Sequence, residues 1–222
     1  MEPFTDRADA GRQLAEALAA YAGDPGVIVL ALPRGGVPVG YEVAQRLGAP
    51  LDVYVVRKLG VPGHEELAMG ALAADGTCVV DEDLIASLHV DPAALDDVVT
   101  REIAELRRRE QAYRNDRPEP EIAGKTAIIV DDGLATGATM RAAAIALRGR
   151  GPRSIVAAAP VATPRTCAAL RDVVDRVVCV QTPEPSHAVG LYYQNFEQTS
   201  DDEVRLLLSK AEDERQGRRM SA

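Results

Sequence analysis

A chain of 222 residues, 46% of them hydrophobic, carries enough apolar material to bury a full core in one main domain with an appendage. Its formal net charge of -9, from 25 Lys and Arg against 34 Asp and Glu, argues against nucleic acid as the main partner. Three cysteines (Cys78, Cys167, Cys179), with no CxxC pair and no His at ligand spacing, exclude a disulfide framework and a zinc site and are expected as reduced core residues.

Residues 1 to 11 carry acidic side chains and no apolar leader pattern, and no run approaches the length of a membrane span, so a soluble cytoplasmic protein is the expectation. Leu14, Leu18, Tyr21 and Ala22 then recur at helical spacing and predict an opening amphipathic helix over 7–22, broken by Gly23-Asp24-Pro25-Gly26. Val27 to Leu32 is a continuous apolar run, the pattern of a strand buried on both faces, and ends in Pro33-Arg34-Gly35-Gly36. Gly40, Val43, Ala44 and Leu47 mark a helix packed on the sheet, stopped by Gly48-Ala49-Pro50. Leu51 to Val56 is expected as the next strand, closing a βαβ unit, with Arg57-Lys58 at its carboxyl end on the same sheet edge as Arg34.

From Leu59 to Asp75 the periodicity dissolves into Gly, Pro and charged residues around His64, Glu65 and Glu66, which predicts a lid-like loop beside the ligand edge. A short strand is expected at 77–80, and Asp91-Pro92 opens a long helix through Arg114 within an inserted helical segment, 84–117. Its apolar face is Leu95, Val98, Val99, Ile103 and Leu106. Arg101/Glu105, Glu105/Arg109 and Glu110/Arg114, spaced i, i+4, are expected as a solvated face, and Arg107-Arg108-Arg109 lies on the same mixed-charge helix. After a Pro- and Glu-rich connector (117–124) come a strand ending at Val130 and a helix striped by Met140, Ala143, Ala144 and Leu147. Strands at 154–159 and 176–180 follow, with a helix capped by Thr163-Pro164 between them. This alternation predicts a doubly wound, mostly parallel sheet of about five strands in an α/β fold. The tail holds His187, Tyr192, Tyr193, Asn195 and Phe196 in an irregular segment, and Ser200 to Glu203 forms a capping box for a last helix through about Glu214.

The most informative stretch runs from Ile128 to Thr139: a buried strand, two adjacent carboxylates (Asp131, Asp132), then Ala135-Thr136-Gly137-Ala138-Thr139 leading into a helix. Backbone N–H groups at a helix N-terminus cradle phosphate, and Thr136 and Thr139 add hydroxyl donors. The carboxylates would repel that phosphate unless they face sugar hydroxyls or a divalent cation. A sugar phosphate satisfies both halves. The stretch lacks the Lys of a Walker loop and the G-x-G of a dinucleotide loop.

Val130 to Thr139 resembles the ribose 5-phosphate signature of the type I phosphoribosyltransferases, and the resemblance extends over most of residues 27–160. It implies a core at 22–180, with a small hood built from 1–21 and 181–222. Phosphoribosyl pyrophosphate and Mg²⁺ are the implied ligands, in cytoplasmic nucleotide metabolism. It also implies that Asp131 and Asp132 bind the ribose hydroxyls and that Ala135, Thr136, Gly137, Ala138 and Thr139 hold the 5-phosphate. Pro33-Arg34-Gly35-Gly36 is similar to the family's pyrophosphate loop, where a cis peptide before Arg34 is common, and Arg57-Lys58 is similar to its pyrophosphate-holding basic pair.

Tyr192, Tyr193 and Phe196 are candidates to stack on a base, with Asn195 or His187 reading its edge, against the alternative that they form the hood's own core. Ala135 stands where 6-oxopurine members carry an Asp, which disfavours hypoxanthine and guanine; the A-T-G run, Arg57-Lys58 and Pro62-Gly63 resemble adenine-type members, without the rest of their pattern. The implied reaction is attack of a nitrogen nucleophile on phosphoribosyl pyrophosphate with loss of pyrophosphate. Arg34 joins the two carboxylates as a catalytic candidate, and His64, Glu65 or Glu66 is a candidate proton acceptor. A non-catalytic regulatory protein sensing phosphoribosyl pyrophosphate or a nucleotide, a non-base acceptor, and a homodimer stay open.

Overall fold

The computed structural model describes residues 2–61, 64–114, 119–184 and 188–220, with the side chains of 64–68, 219 and 220 left aside. His187, Pro62-Gly63, Arg117 and the side chains of His64, Glu65 and Glu66 therefore lie outside the described residues.

Five strands make a wholly parallel sheet: β1 (Val27–Ala31), β2 (Leu51–Val53), β6 (Thr126–Val130), β7 (Ser154–Val161) and β8 (Arg176–Gln181), in the order β2-β1-β6-β7-β8. Both faces of the central strands are dry. Ile28 and Leu30 join Ala127 and Ile129 in one apolar cluster, while Val27, Val29, Ile128 and Val130 join another on the opposite face. That is why these strands appear in the sequence as unbroken apolar runs. Helices α1 (Arg7–Ala17) and α2 (Gly36–Leu47) cover the second face, and α5 (Ala138–Arg148) and α6 (Pro164–Leu170) the first. Thr163 caps α6 as expected, its hydroxyl accepting from Thr166 N at 3.1 Å.

Between β2 and β6 the chain departs from expectation. The strand expected over 51–56 stops at Val53, and Tyr54 N donates to Ala31 O. A second, antiparallel sheet then begins, made of β3 (Val56–Val61), β4 (His64–Ala73) and β5 (Cys78–Val80). The described residues of the stretch 59–75, expected as a lid loop, pair instead as the antiparallel strands β3 and β4. Their strand character is hidden because β4 is rich in Ala and Gly, both depleted in strands, and because both faces are covered. Ala71 and Ala73 pack in the cluster that holds α5, whereas Met69 and Leu72 pack with α4 (Pro92–Arg114), which follows the short α3 (Glu82–Ser87). Asp91 caps α4 as predicted, accepting from Ala93 N at 3.0 Å.

The opening helix ends at Ala17 and continues as a single 3-10 turn, Ala19–Tyr21. Residues near the two chain ends meet: Phe4 N donates to Tyr192 O at 2.8 Å and Gln194 N to Phe4 O at 2.8 Å. The final helix, α7 (Asp201–Met220), is longer than predicted and runs back across α2, β2 and α4, burying Val204 and Leu208. Of the cysteines expected in the core only Cys167 is buried; Cys179 is partly buried, its Sγ 3.5 Å from that of Cys167, and Cys78 is exposed. Among the described residues no helix is long and apolar enough to cross a membrane.

Candidate functional site

Strands β1 and β6 are neighbours, and their crossovers leave in opposite directions: β1 leads through α2 to β2, and β6 through α5 to β7. The carboxyl ends of β1 and β6 therefore flank a topological switch point, where the diverging loops leave a crevice. Into it project the N-termini of α2 and α5, each with backbone N–H groups that lack an intrahelical partner.

The loop after β1 carries a cis peptide between Pro33 and Arg34, as the resemblance implied. Its glycines allow it to dock on the loop after β6. A Cβ on Gly35 would sit 2.0 Å from Asp132 Oδ2, and one on Gly36 would sit 2.6 Å from Val130 O. Any side chain at position 35 would thus occupy the place of the Asp132 carboxylate. Arg34 is exposed at the rim, its Nη1 3.7 Å from Asp201 Oδ1 at the start of α7.

Asp131 lies at the floor and its Oδ1 accepts from Asp132 N at 2.9 Å. Burial raises the Asp131 pKa well above the ordinary carboxylate range, and the adjacent Asp132 charge pushes the same way. Asp132 is also raised by burial, but less freely, because its Oδ2 accepts from Arg7 Nε at 2.8 Å. Arg7 was not singled out from the sequence. It stacks over the Phe196 ring, 3.9 Å from the centroid, and donates from Nη1 to Glu197 O at 2.6 Å. No motif marks it; the signal available was its place at the start of a segment expected to reach the site.

Beyond the carboxylates, Leu134 bridges to Ala162 and leaves Ala135, Thr136, Ala138 and Thr139 exposed around the N-terminus of α5. Gly137 adopts φ of 73° and a Cβ there would lie 2.8 Å from Thr166 Cγ2, so the position needs glycine on two counts. The Thr166 hydroxyl donates to Ala135 O at 2.9 Å and ties the loop to α6. The Thr136 hydroxyl accepts from Ala138 N at 3.3 Å.

The aromatic residues of the tail face one another. Tyr193 is 5.4 Å from Phe4 and 4.9 Å from Phe196 between ring centroids, and its hydroxyl donates to Asp132 O at 2.5 Å. Tyr193 thus belongs to an apolar cluster with Phe4 and Ala10, with Tyr192 and Phe196 packed against it.

Arg57 and Lys58 do not end a core strand; they sit in β3 of the second sheet. Arg57 pairs with Glu102 of α4, and both basic residues line an open groove of about 880 Å³ together with Asp97 and Arg101. Helix α4 bears out a solvated charged face at Arg101, Arg108 and Arg109, which are exposed, and departs from it at Arg114. Arg114 is buried, bound to Asp52 at 2.8 Å and to Glu110 at 2.9 Å. Glu105 does pair with Arg109, but Arg101 approaches Glu102 instead. Arg108 and Arg109 line a separate cavity of about 260 Å³ whose other walls include Arg34, Tyr54, Thr139 and Asp201.

The comparisons with known proteins agree with this architecture. The chain is 49% identical over 211 residues to a Mycobacterium tuberculosis (strain ATCC 25618 / H37Rv) protein named "Putative phosphoribosyl transferase Rv0571c", and equally to its counterpart in strain CDC 1551 / Oshkosh. Those alignments cover 95% of this chain and 47% of the relatives, so the chain spans about half the length of the curated relatives it matches. The crystal structure of TT1426 from Thermus thermophilus superposes with a TM-score of 0.87 at 42% identity, covering 95% of this chain and 99% of that one. The model described as "Phosphoribosyl transferase domain" matches residues 4–195. With residues 4–195 of the 222 matched, the chain belongs to the phosphoribosyl transferase family.

Proposed function

We propose that the chain transfers ribose 5-phosphate from phosphoribosyl pyrophosphate to a nitrogen nucleophile and releases pyrophosphate. The observation that carries this reading is the docking of Gly35 and Gly36 onto Asp132 and Val130, which brings the glycine loop after β1, two carboxylates and the N-terminus of α5 into one crevice, an arrangement suited to anions. One ligand with phosphates at both ends and a diol between them matches that order.

Loss of pyrophosphate builds positive charge on the ribose ring and negative charge on the leaving group, so the main demand on the protein is fixed electrostatics. In this reading Asp131 and Asp132 accept hydrogen bonds from the two ribose hydroxyls and face the developing cation. The N–H groups at Ala138 and Thr139, with the Thr136 and Thr139 hydroxyls, hold the 5-phosphate. Arg34 and the N–H groups of Gly35 and Gly36 face the leaving diphosphate. Mg²⁺ suits the carboxylates, which are hard oxygen donors, in the mode where one or two carboxylates share the ion with substrate phosphates. When bound it would neutralise diphosphate charge. The acceptor is unassigned: Ala135 offers no carboxylate at the 6-oxopurine position, and the ring faces of Tyr193 and Phe196 are engaged within the hood.

The test is to incubate the protein with phosphoribosyl pyrophosphate, Mg²⁺ and a panel of bases and amines while following pyrophosphate. Release with at least one acceptor, reduced at least a hundredfold in Asp132→Asn, is the expected result. Tight binding without release for any acceptor would replace the transferase reading by a ligand-sensing one.

A further inference from the structure

We propose that the inserted helix α4 supplies two of the cations that hold the diphosphate, with Arg108 and Arg109 closing on it opposite Arg34. The proposal rests on the transferase reading above and adds to it a pair of residues that lie far from the crevice in sequence.

The cavity of about 260 Å³ is bounded on one side by the cis-peptide loop at Pro33 and Arg34 and on the other by the last turns of α4. It is smaller than the roughly 300–1,000 Å³ of sites that enclose a whole drug-sized ligand, which suits one anionic portion of a larger molecule. Thr139, in the first turn of α5 at the candidate phosphate site, lines it as well.

Its charge is unbalanced. Three guanidiniums line it against one carboxylate, Asp201, on a chain whose net charge is -9. Arg108 donates from Nε and Nη2 to Glu105 at 2.9 and 3.0 Å, and Arg109 donates from Nε to the same carboxylate at 2.7 Å. Those two arginines hold the Glu105 carboxyl down at about 2, so it stays ionised. One carboxylate shared by two guanidiniums leaves a net positive charge at the wall. Across the cavity Asp201 is 3.7 Å from Arg34, beyond hydrogen-bond range, and accepts from the Tyr113 hydroxyl at 3.1 Å. A concave surface with surplus guanidinium draws anions, and the guanidinium fork matches pairs of phosphate oxygens.

Helix α4 is held where this needs it. Leu106 is fully buried, Arg114 is locked to Asp52, and Glu102 pairs with Arg57. The helical period then turns Arg108, Arg109, Ala112 and Tyr113 toward the same cavity. Because the Arg108 and Arg109 side chains are 70% and 44% exposed, truncating them leaves the packed face of the helix intact.

Calorimetric titration of the full chain with phosphoribosyl pyrophosphate, inorganic pyrophosphate and ribose 5-phosphate, each with Mg²⁺, tests the proposal. In the double variant Arg108→Ala/Arg109→Ala the first two ligands should bind at least tenfold more weakly while ribose 5-phosphate stays within about twofold, with an unchanged melting temperature. Arg108→Lys/Arg109→Lys should recover only part of the loss, because a point charge lacks the fork. Undiminished phosphoribosyl pyrophosphate binding by the alanine variant would overturn the proposal. So would parent protein that binds ribose 5-phosphate but no pyrophosphate, which would leave the carboxylate and phosphate-loop assignments standing. Parent protein that binds neither phosphoribosyl pyrophosphate nor ribose 5-phosphate would overturn the transferase reading, and the helix assignment with it.

Discussion

Asp131 is held in the fold at a cost, since burial and the Asp132 charge both favour its protonated form. The sign of the pH effect follows. The folded state binds this proton more tightly than the unfolded chain, so the associated stability is present at acid pH and is lost as pH rises through the raised folded pKa. Asp131→Asn keeps an oxygen to accept from Asp132 N and removes the charge. It should raise the melting temperature by about 2–4 °C at pH 8, the shift that ~1 kcal/mol produces in a chain of this size, with the difference vanishing near pH 4, while pyrophosphate release falls. Equal melting at both pH values would show that the carboxylate is not destabilised by its surroundings. Gly35 gives a second test at this scale. Gly35→Ala places a methyl where Asp132 Oδ2 now lies, so the carboxylate must rotate away. Phosphoribosyl pyrophosphate affinity should drop at least tenfold, for a stability cost within the ~1–3 kcal/mol of ordinary overpacking; unaltered affinity would show that the carboxylate is free to move without loss.

The central strands announce themselves because Val27 to Leu32 and Ile128 to Val130 are buried on both faces and carry no polar residue to break the run. Asp131, Asp132, Gly137 and the flanking threonines were legible for a related reason: the chemistry of one loop lies within a few residues. Most of the second sheet was not, although its short strand β5 falls where a strand at 77–80 is expected. Its strand β4 uses Ala and Gly where strands normally use branched residues, and its burial depends on α4 and α5, elements distant in sequence. The charged face of α4 is solvated as its spacing suggests at Arg101, Arg108 and Arg109, but spacing along a helix does not tell what each member of a face meets. Arg114 illustrates the difference, reading as one half of an i, i+4 surface pair yet buried against Asp52 from β2. Arg114→Ala would strand that carboxylate, and losing one partner of a buried pair costs about 3–5 kcal/mol. Thermal unfolding should fall by roughly 6–20 °C on the same scale of degrees per kcal/mol; a fall under 2 °C would show that the pair is solvated in practice.

Across the whole molecule, the crevice is enclosed by parts drawn from the full length of the chain. The loops after β1 and β6 form its floor, α4 and the first residue of α7 one wall, and the hood another. This explains why its walls were harder to foresee than its floor: the floor follows from strand order, whereas each wall requires knowing where an appendage comes to rest. The hood itself is stitched from residues near both ends, with Phe4 paired to Tyr192 and Tyr193 in place over the backbone of Asp132. Arg7 adds a charged contact from the N-terminal segment, and it falls on Asp132 Oδ2. If a ribose hydroxyl needs that same oxygen, ligand and arm are competitors, and thermodynamic linkage makes the competition reciprocal: whatever the arm gains by resting there, the ligand must displace. Occupancy of the crevice would then be written into the looseness of the amino-terminal segment. Amide hydrogen exchange over residues 4–10 should quicken when ribose 5-phosphate is added, and an unaltered rate would mean that Arg7 and the ligand share the carboxylate without contest.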